Sequence, residues 1–103
     1  MLTINEALDH LGIDYPDEKV TRNVASALKD AQGYLKGAVG ADVFELLPDD
    51  ERVDRLVKVY LTEIYDERGT TSAKAGNAKR DMVFSMELQL RLELARLREE
   101  ATV

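Results

Sequence analysis

The chain has 103 residues, of which 45% are hydrophobic and 33% are charged, so we expect one soluble domain, residues 1–103, with a modest core. It contains no cysteine, which excludes disulfides and thiolate metal sites. A net charge of −6 opposes non-specific attraction to DNA and anionic membranes, and no apolar run suits a signal peptide or a membrane span, so we expect a cytosolic protein at synthesis.

The first predicted helix covers residues 2–11. Thr3 and Glu6 fit a capping box, because the threonine oxygen can accept from a backbone amide while the glutamate reaches back to the cap. Apolar side chains recur on one side of this segment. Gly12 follows it and suits the left-handed residue beyond a helix end. Residues 13–17 are predicted to be a connector.

The second predicted helix begins at Pro16 or Asp17 and ends near Lys36. If Pro16 occupies the first helical position, Tyr15 is the N-cap residue, and Asp14 is the alternative cap. An apolar residue recurs every three or four positions, which is the spacing of a helix with one buried face. This stripe consists of Val20, Val24, Ala27, Leu28, Ala31 and Leu35.

Two segments break the helical pattern. Glycines and a proline punctuate residues 37–49, yet this segment is too apolar for a solvated linker. We expect it to fold back over the helices, with a short helical turn at residues 43–47. Residues 69–80 carry no large apolar side chain, so we expect an exposed, mobile loop there. The positive charges of this loop come from Lys74, Lys79 and Arg80.

The third helix is predicted for residues 50–68 and has the clearest one-sided pattern in the chain. Asp49, Asp50 and Glu51 supply a cap and a negative first turn, which suits the helix dipole. Arg68 lies in the last turn, and a glycine follows it. We expect the core of the domain to include Val53, Leu56, Tyr60, Leu61 and Ile64.

The last predicted helix covers residues 82–100, with Asp81 as its cap and a frayed tail at 101–103. Apolar and polar residues alternate strictly from Phe84 to Leu94, which is a strand pattern, but the residue types are strong helix formers. Wound into a helix, the alternation gives two apolar stripes on opposite sides. One stripe consists of Val83, Met86, Leu90, Leu94 and Leu97, and the other of Phe84, Leu88, Leu92 and Ala95.

A helix that is apolar on two sides must be covered on two sides. In a chain this short, one stripe can pack on the core of its own domain, and few elements remain to cover the other. We therefore expect a neighbouring subunit to cover the second stripe. The alternative is that the last helix is central to its own bundle.

Residue types and spacings give no sign of an enzyme. His10 is the only histidine, and the adjacent Asp9 points in another direction on the helix, so a solvated surface histidine is expected. The acidic residues 49–51 lack the ligand spacing of a calcium loop, and no phosphate-binding loop is present. Three positive charges in the polar loop, without aromatic neighbours, make at best a weak nucleic-acid contact. We predict no catalytic residue, no metal and no cofactor.

Three short motifs stand in order along the chain. The first is the opening Leu2-Thr3-Ile4-Asn5-Glu6-Ala7-Leu8, whose helix leads into the turn Leu11-Gly12-Ile13-Asp14. The third helix ends in Tyr65-Asp66-Glu67-Arg68, and the last contains Met86-Glu87-Leu88-Gln89-Leu90-Arg91. In this order and spacing they resemble the small head–tail connector (adaptor, or head-completion) proteins of tailed bacteriophages and prophages. The likeness extends from residue 2 to about residue 91. The chain departs from the family in its apolar segment 37–48 and in its longer last helix.

The resemblance implies an all-helical structural subunit that joins a ring of about twelve copies at the head–tail junction of the virion, assembled in the bacterial cytoplasm. Such a ring binds the portal protein, offers a platform to a tail-side completion or stopper protein, and extends the channel for double-stranded DNA without sequence specificity. It has no catalytic residue, no cofactor and no membrane contact. The polar loop, with Lys74, Lys79 and Arg80, is then expected to face the channel or the portal.

We predict an all-α fold, a small bundle of three long helices and a short N-terminal helix, with a mobile polar loop before the last helix. The alternative function is a small helical interaction module, such as a dimeric adaptor or an antitoxin-like regulator, which has no catalytic activity and forms no large ring. The predicted subunit interface consists of Phe84, Leu88, Leu92 and Ala95.

Overall fold

The fold is all-α, as predicted. The computed structural model describes residues 1–68 and 77–102, and within these ranges the chain contains helices and no strand. The helices are α1 (Ile4–His10), α2 (Glu18–Val39), α3 (Val43–Leu46), α4 (Glu51–Arg68) and α5 (Asn77–Thr102). Three of them are long and two are short. The short helix α3 corresponds to the helical turn that the sequence predicted at residues 43–47.

The start of α1 has the predicted capping box. The backbone N–H of Glu6 donates to Oγ1 of Thr3 at 3.2 Å, and the backbone N–H of Thr3 donates to Oε1 of Glu6 at 3.0 Å. Two amides that the first turn leaves without helical partners are thereby satisfied. Gly12 has a φ angle of 75°, which confirms the expected left-handed residue after the helix.

The predicted start of α2 is wrong by one or two residues. The helix begins at Glu18, and its N-cap is Asp17 rather than Tyr15 or Asp14. The carboxylate of Asp17 accepts from the backbone N–H of Val20 at 2.7 Å. An aspartate side chain is short enough to reach the amides of the first turn, and a tyrosine hydroxyl is not. The proline therefore precedes the helix instead of opening it.

The segment between α2 and α4 folds back over the bundle, as expected. Val43 of α3 is fully buried, and three further apolar side chains of the segment are partly buried against the core. Asp42, just before α3, is ion-paired with Arg98 near the end of α5, where Nε of Arg98 donates to Oδ2 of Asp42 at 2.8 Å. This pair joins the segment to the last helix. The three partly buried residues are Phe44, Leu46 and Leu47.

The core is built around the α2–α4 pair. Helices α1 and α5 each pack against both members of this pair. The apolar stripe of α2 is buried from Val24 to Val39. On α4, four of the five predicted core residues are buried, and the fifth, Ile64, is partly buried against them. The four are Val53, Leu56, Tyr60 and Leu61.

Helices α1 and α5 lie on opposite sides of α4. Oγ1 of Thr62 is 2.8 Å from Nε2 of His10 in α1, and its own proton goes to the carbonyl oxygen of Lys58. The hydroxyl of Tyr60 donates to Oε1 of Glu87 in α5 at 2.6 Å. Residues two apart on a helix point about 200° away from each other. His10 itself is exposed, as expected, although it has this hydrogen-bond partner.

The last helix is longer than predicted at both ends. It begins at Asn77, so residues 77–80 are helical rather than part of a loop, and Asp81 lies in the second turn instead of capping the helix. Alanine, lysine and arginine are strong helix formers, and each residue added to an existing helix gains one backbone hydrogen bond. The helix ends at Thr102 instead of residue 100. Residues 69–76 of the predicted loop, Lys74 included, lie outside the described residues.

Candidate functional site

The two apolar stripes of α5 have opposite environments. On the inner stripe, Leu90 and Leu94 are fully buried and Met86 is 8% exposed. On the other stripe, Phe84 is 68%, Leu88 51% and Leu92 63% exposed, and Ala95 is exposed as well. We call the set Phe84, Leu88, Leu92 and Ala95 the outer face. The division of the helix into one buried and one uncovered stripe matches the sequence pattern at its centre, whereas Val83 and Leu97, at the ends of the inner stripe, are only partly buried.

The outer face contains a continuous ridge. Phe84, Leu88 and Leu92 are spaced by four residues, which places their side chains one above another along the helix. Arg80 and Arg96 continue the same row at either end, and both are exposed. The site is therefore an apolar ridge with a cationic side chain at each end. Contiguous exposed apolar surface of this kind marks contact sites on soluble proteins.

The charges beside the outer face are of two kinds. Arg96 is ion-paired within its own helix, with Glu93 at 2.7 Å and Glu100 at 2.6 Å. Its hydrogen bond to Glu93 holds the pKa of that carboxyl below the ordinary value. Arg91 is exposed and forms no ion pair with any described side chain. Arg91 is thus a charge that remains available to a partner.

Polar contacts fix the orientation of α5 at two levels. The bond from Tyr60 to Glu87 lies beside the first half of the ridge, and burial, together with that bond, raises the pKa of Tyr60. The ring of Tyr60 also packs against Tyr34, with centroids 4.7 Å apart. Near the other end, Arg98 binds Asp42 and lowers the pKa of that carboxyl. The ridge is therefore held outward by contacts on both sides of its centre.

These anchoring pairs were not predicted from the sequence. Glu87 is 27 residues from Tyr60, and Arg98 is 56 residues from Asp42, so no local spacing could reveal them. The one available sign is the phenol of Tyr60, a polar tip within an apolar stripe that requires a hydrogen-bond partner when it is buried.

The three cations of the predicted polar loop are separated by the structure. Lys74 lies outside the described residues, and Lys79 belongs to the first turn of α5. Arg80 is exposed in the same helix, four residues before Phe84. Arg80 therefore stands at the end of the outer face and not in a loop. A role for these residues toward a channel or a portal stays a prediction.

The acidic residues 49–51 begin α4, as the sequence indicated. The carboxylate of Asp50 accepts from the backbone N–H of Arg52 at 2.8 Å and from Nε and Nη2 of its guanidinium, at 3.0 and 2.7 Å. The side-chain bonds to Arg52 lower the pKa of Asp50, and partial burial opposes them. This carboxylate is committed to the helix start and to its arginine, so it is not arranged to bind a cation.

The described part of the chain contains no group of three or more histidine, cysteine or acidic side chains that could hold a metal ion. Among the described helices, none is both long and apolar enough to cross a membrane. Comparison with protein-family models, with curated proteins and with solved structures gave no match to this chain.

Proposed function

We propose that this protein is a structural subunit that self-assembles through the outer face of α5, and that the assembly is the ring between the portal and the tail of a bacteriophage particle. The outer face carries this proposal. It is an apolar ridge on a helix whose opposite stripe is already buried in the subunit's own core. The choice of a head–tail connector among structural assemblies comes from the three sequence motifs and their order.

The size of the outer face favours an assembly with more than one contact per subunit. Covering a large apolar side chain contributes about 1.5–3 kcal/mol when it starts fully exposed, and the three ridge residues are half to two-thirds exposed. Together they offer roughly 3–5 kcal/mol, whereas association costs at least about 4 kcal/mol in lost freedom. One such contact makes a weak pair. In a closed ring each subunit takes part in two contacts, and the ring has no free end.

The negative net charge of the subunit suits a ring through which DNA passes. With a net charge of −6, the ring would repel the phosphate backbone, so double-stranded DNA would pass without sticking. In this proposal the portal protein binds one side of the ring and a tail-side completion protein binds the other. The expectation that Lys74, Lys79 and Arg80 face the channel or the portal belongs to this proposal. The subunit carries out no catalysis and needs no cofactor.

The test is native mass as a function of protein concentration, by light scattering and native mass spectrometry. We expect a closed assembly of about twelve copies for the wild type. Leu88→Glu places a charge at the centre of the ridge and should give a monomer with unchanged helical circular dichroism. Gln89→Glu is the matched control, because it adds the same charge to an exposed position of the same helix that is off the ridge.

Three results would contradict the proposal in different ways. A dimer of constant mass at every concentration would favour the small interaction module. Unfolding of Leu88→Glu would mean that Leu88 supports the subunit's own core. A wild-type monomer would move the test to an assembled portal, since a ring can form on a template, and a failure to bind there would refute the connector function.

A further inference from the structure

The connector between α1 and α2 carries a second exposed apolar group. Tyr15 is 97% exposed, more than any other large apolar side chain in the described residues. The connector is nevertheless held at both ends. At its start, the backbone N–H of Ile13 donates to the carbonyl oxygen of Leu8 at 3.0 Å, and at its end the carboxylate of Asp17 caps α2. Tyr15 is thus presented to solvent on a fixed turn, so little freedom would be lost on binding.

The charge around Tyr15 is negative. Asp14, Asp17 and Glu18 are all exposed within five residues of chain, and Lys19 is the one cation beside them. The flank of the outer face offers a charge of the opposite sign, because Arg91 is exposed one turn from Leu88 and has no ion pair among the described side chains. The exposed acidic residues on that side of the helix, Asp81 and Glu99, lie beyond the two ends of the ridge. The connector and the centre of the outer face are therefore complementary in two respects. One offers an aromatic ring with carboxylates, and the other offers an apolar ridge with a guanidinium group beside it.

A single chain cannot bring these two surfaces together. Thr62 and Tyr60, which point to opposite sides of α4, contact α1 and α5 respectively. The connector follows α1, and the outer face is the side of α5 that points away from the core. Both surfaces are therefore open to a second copy of the chain, and every copy carries one connector and one outer face. Such a contact between two different patches is heterologous, and repeated contacts of this type generate rings or filaments.

We propose that the connector of one subunit docks on the outer face of the next, with Tyr15 against Leu88 and Phe84 and with the connector carboxylates facing Arg91. The inference rests on the proposed function, because it names the surface that covers the ridge. Tyrosine and arginine are the residue types most often found at the energetic centre of interfaces. The arrangement also explains how one face of one helix can build a ring and not a closed pair.

Single-cysteine variants test the contact directly, because the chain has no cysteine of its own. Tyr15→Cys is made in a chain lengthened by a tag, Leu88→Cys in the untagged chain, and the mixture is treated with a short bismaleimide. Tyr15, Leu88 and the control position Ser26 are all exposed. We expect at least about tenfold more cross-linked heterodimer from Tyr15→Cys with Leu88→Cys than from Ser26→Cys with Leu88→Cys.

The outcomes separate this docking from the proposed function. If Leu88→Cys cross-links mainly to itself, the outer face is a subunit contact of the symmetric kind, and the docking is wrong while self-assembly stands. If Leu88→Cys cross-links neither to itself nor to Tyr15→Cys more than it does to the Ser26→Cys control, no second copy covers the outer face and both proposals fail. Equal yields from Ser26→Cys and Tyr15→Cys would also overturn the docking, because they would indicate random collision.

Charge reversal provides an independent measurement of the same contact. Arg91→Glu should weaken association about two- to fivefold, the usual range for an exposed ion pair, and Asp14→Arg should do the same. Combining both changes should restore most of the loss, because the pair is re-formed with its signs exchanged. Losses that simply add in the double variant would show that the two residues do not face each other.

Discussion

The sharpest consequence of the two-sided helix is that a leucine-to-alanine substitution should affect folding on one stripe and assembly on the other. Leu90 is fully buried and Leu92 is 63% exposed, although they are two residues apart on α5. Leu90→Ala removes buried methyl groups and leaves a cavity, which costs about 3 kcal/mol, within a usual range of roughly 2–5 kcal/mol. Leu92→Ala removes atoms that mostly face water, so the monomer should change by less than about 0.5 kcal/mol.

Two measurements on the same pair of variants separate folding from assembly. Urea unfolding at low protein concentration reports on the monomer, and Leu90→Ala should shift its midpoint strongly while Leu92→Ala should not. Sedimentation or light scattering at high concentration reports on assembly. There Leu92→Ala should weaken self-association by about tenfold, corresponding to roughly 1.4 kcal/mol of lost apolar contact.

Equal destabilisation of the monomer by the two variants would contradict the division of α5 into a buried and an exposed stripe. If Leu92→Ala cost as much free energy of unfolding as Leu90→Ala, the outer face would be packed within the subunit's own fold. A second refuting result is normal self-association of Leu92→Ala together with loss of assembly in a variant of the inner stripe that remains folded. In that case the assembly surface would lie elsewhere on the protein.

Three further predictions concern the fold. Asp17→Ala should lower the free energy of unfolding, measured in urea, by about 1 kcal/mol because it removes the cap of α2. Asp14→Ala should change that free energy by less than about 0.5 kcal/mol. Equal effects of the two substitutions would argue against the observed cap. Asp50, whose pKa Arg52 holds below its ordinary value of 3.8, stabilises the fold above that value, and this contribution is lost as pH falls through the lowered pKa. Asp50→Asn should flatten the acid limb of the stability profile, and an unchanged limb would contradict this. Gly33→Ala should stabilise α2 by up to about 1 kcal/mol because a Cβ there meets open space, and destabilisation would reveal a missed contact.

The elements that the sequence predicted well are those defined by periodicity. The apolar stripes of α2, α4 and α5 repeat at helical spacing, and nearly every residue assigned to them is buried or exposed as its position indicates. For α5 the residue types had to decide between strand and helix, because its alternation fits a strand. Leucine, glutamate and arginine favour a helix, and the structure agrees.

The errors lie at helix ends, where several residues compete for the same role. Pro16 and Asp17 are both favoured near the start of α2, and only the geometry of the turn shows that the aspartate is the cap. At the start of α5, Asp81 is a good cap by type, but the helix formers before it extend the helix to Asn77. Propensity and capping pointed to different boundaries, and propagation of the existing helix prevailed.

The candidate site was predictable in part. Its four residues follow from the two-stripe pattern, because a short chain has no spare element to cover the second stripe. The contacts that hold the ridge outward, from Glu87 and Arg98, join residues far apart in the chain and could not be predicted. The sequence suggests Tyr15 only as a helix cap. Its exposure beside a turn rich in carboxylates is a property of the folded connector.

The weakness of a single contact through the outer face is consistent with its proposed role. A subunit that paired strongly would assemble anywhere in the cell, whereas one that gains only a few kcal/mol per contact assembles where many copies are held close together. An open row of subunits has one contact fewer than it has members, and closing the ring adds the missing contact without the cost of recruiting another subunit. A portal that collects subunits would supply the local concentration, and closure would then supply the stability. At low concentration, weak contacts of this kind would give a stable ring on such a template, whereas at high concentration the proposed ring would close without one, as the native-mass test expects.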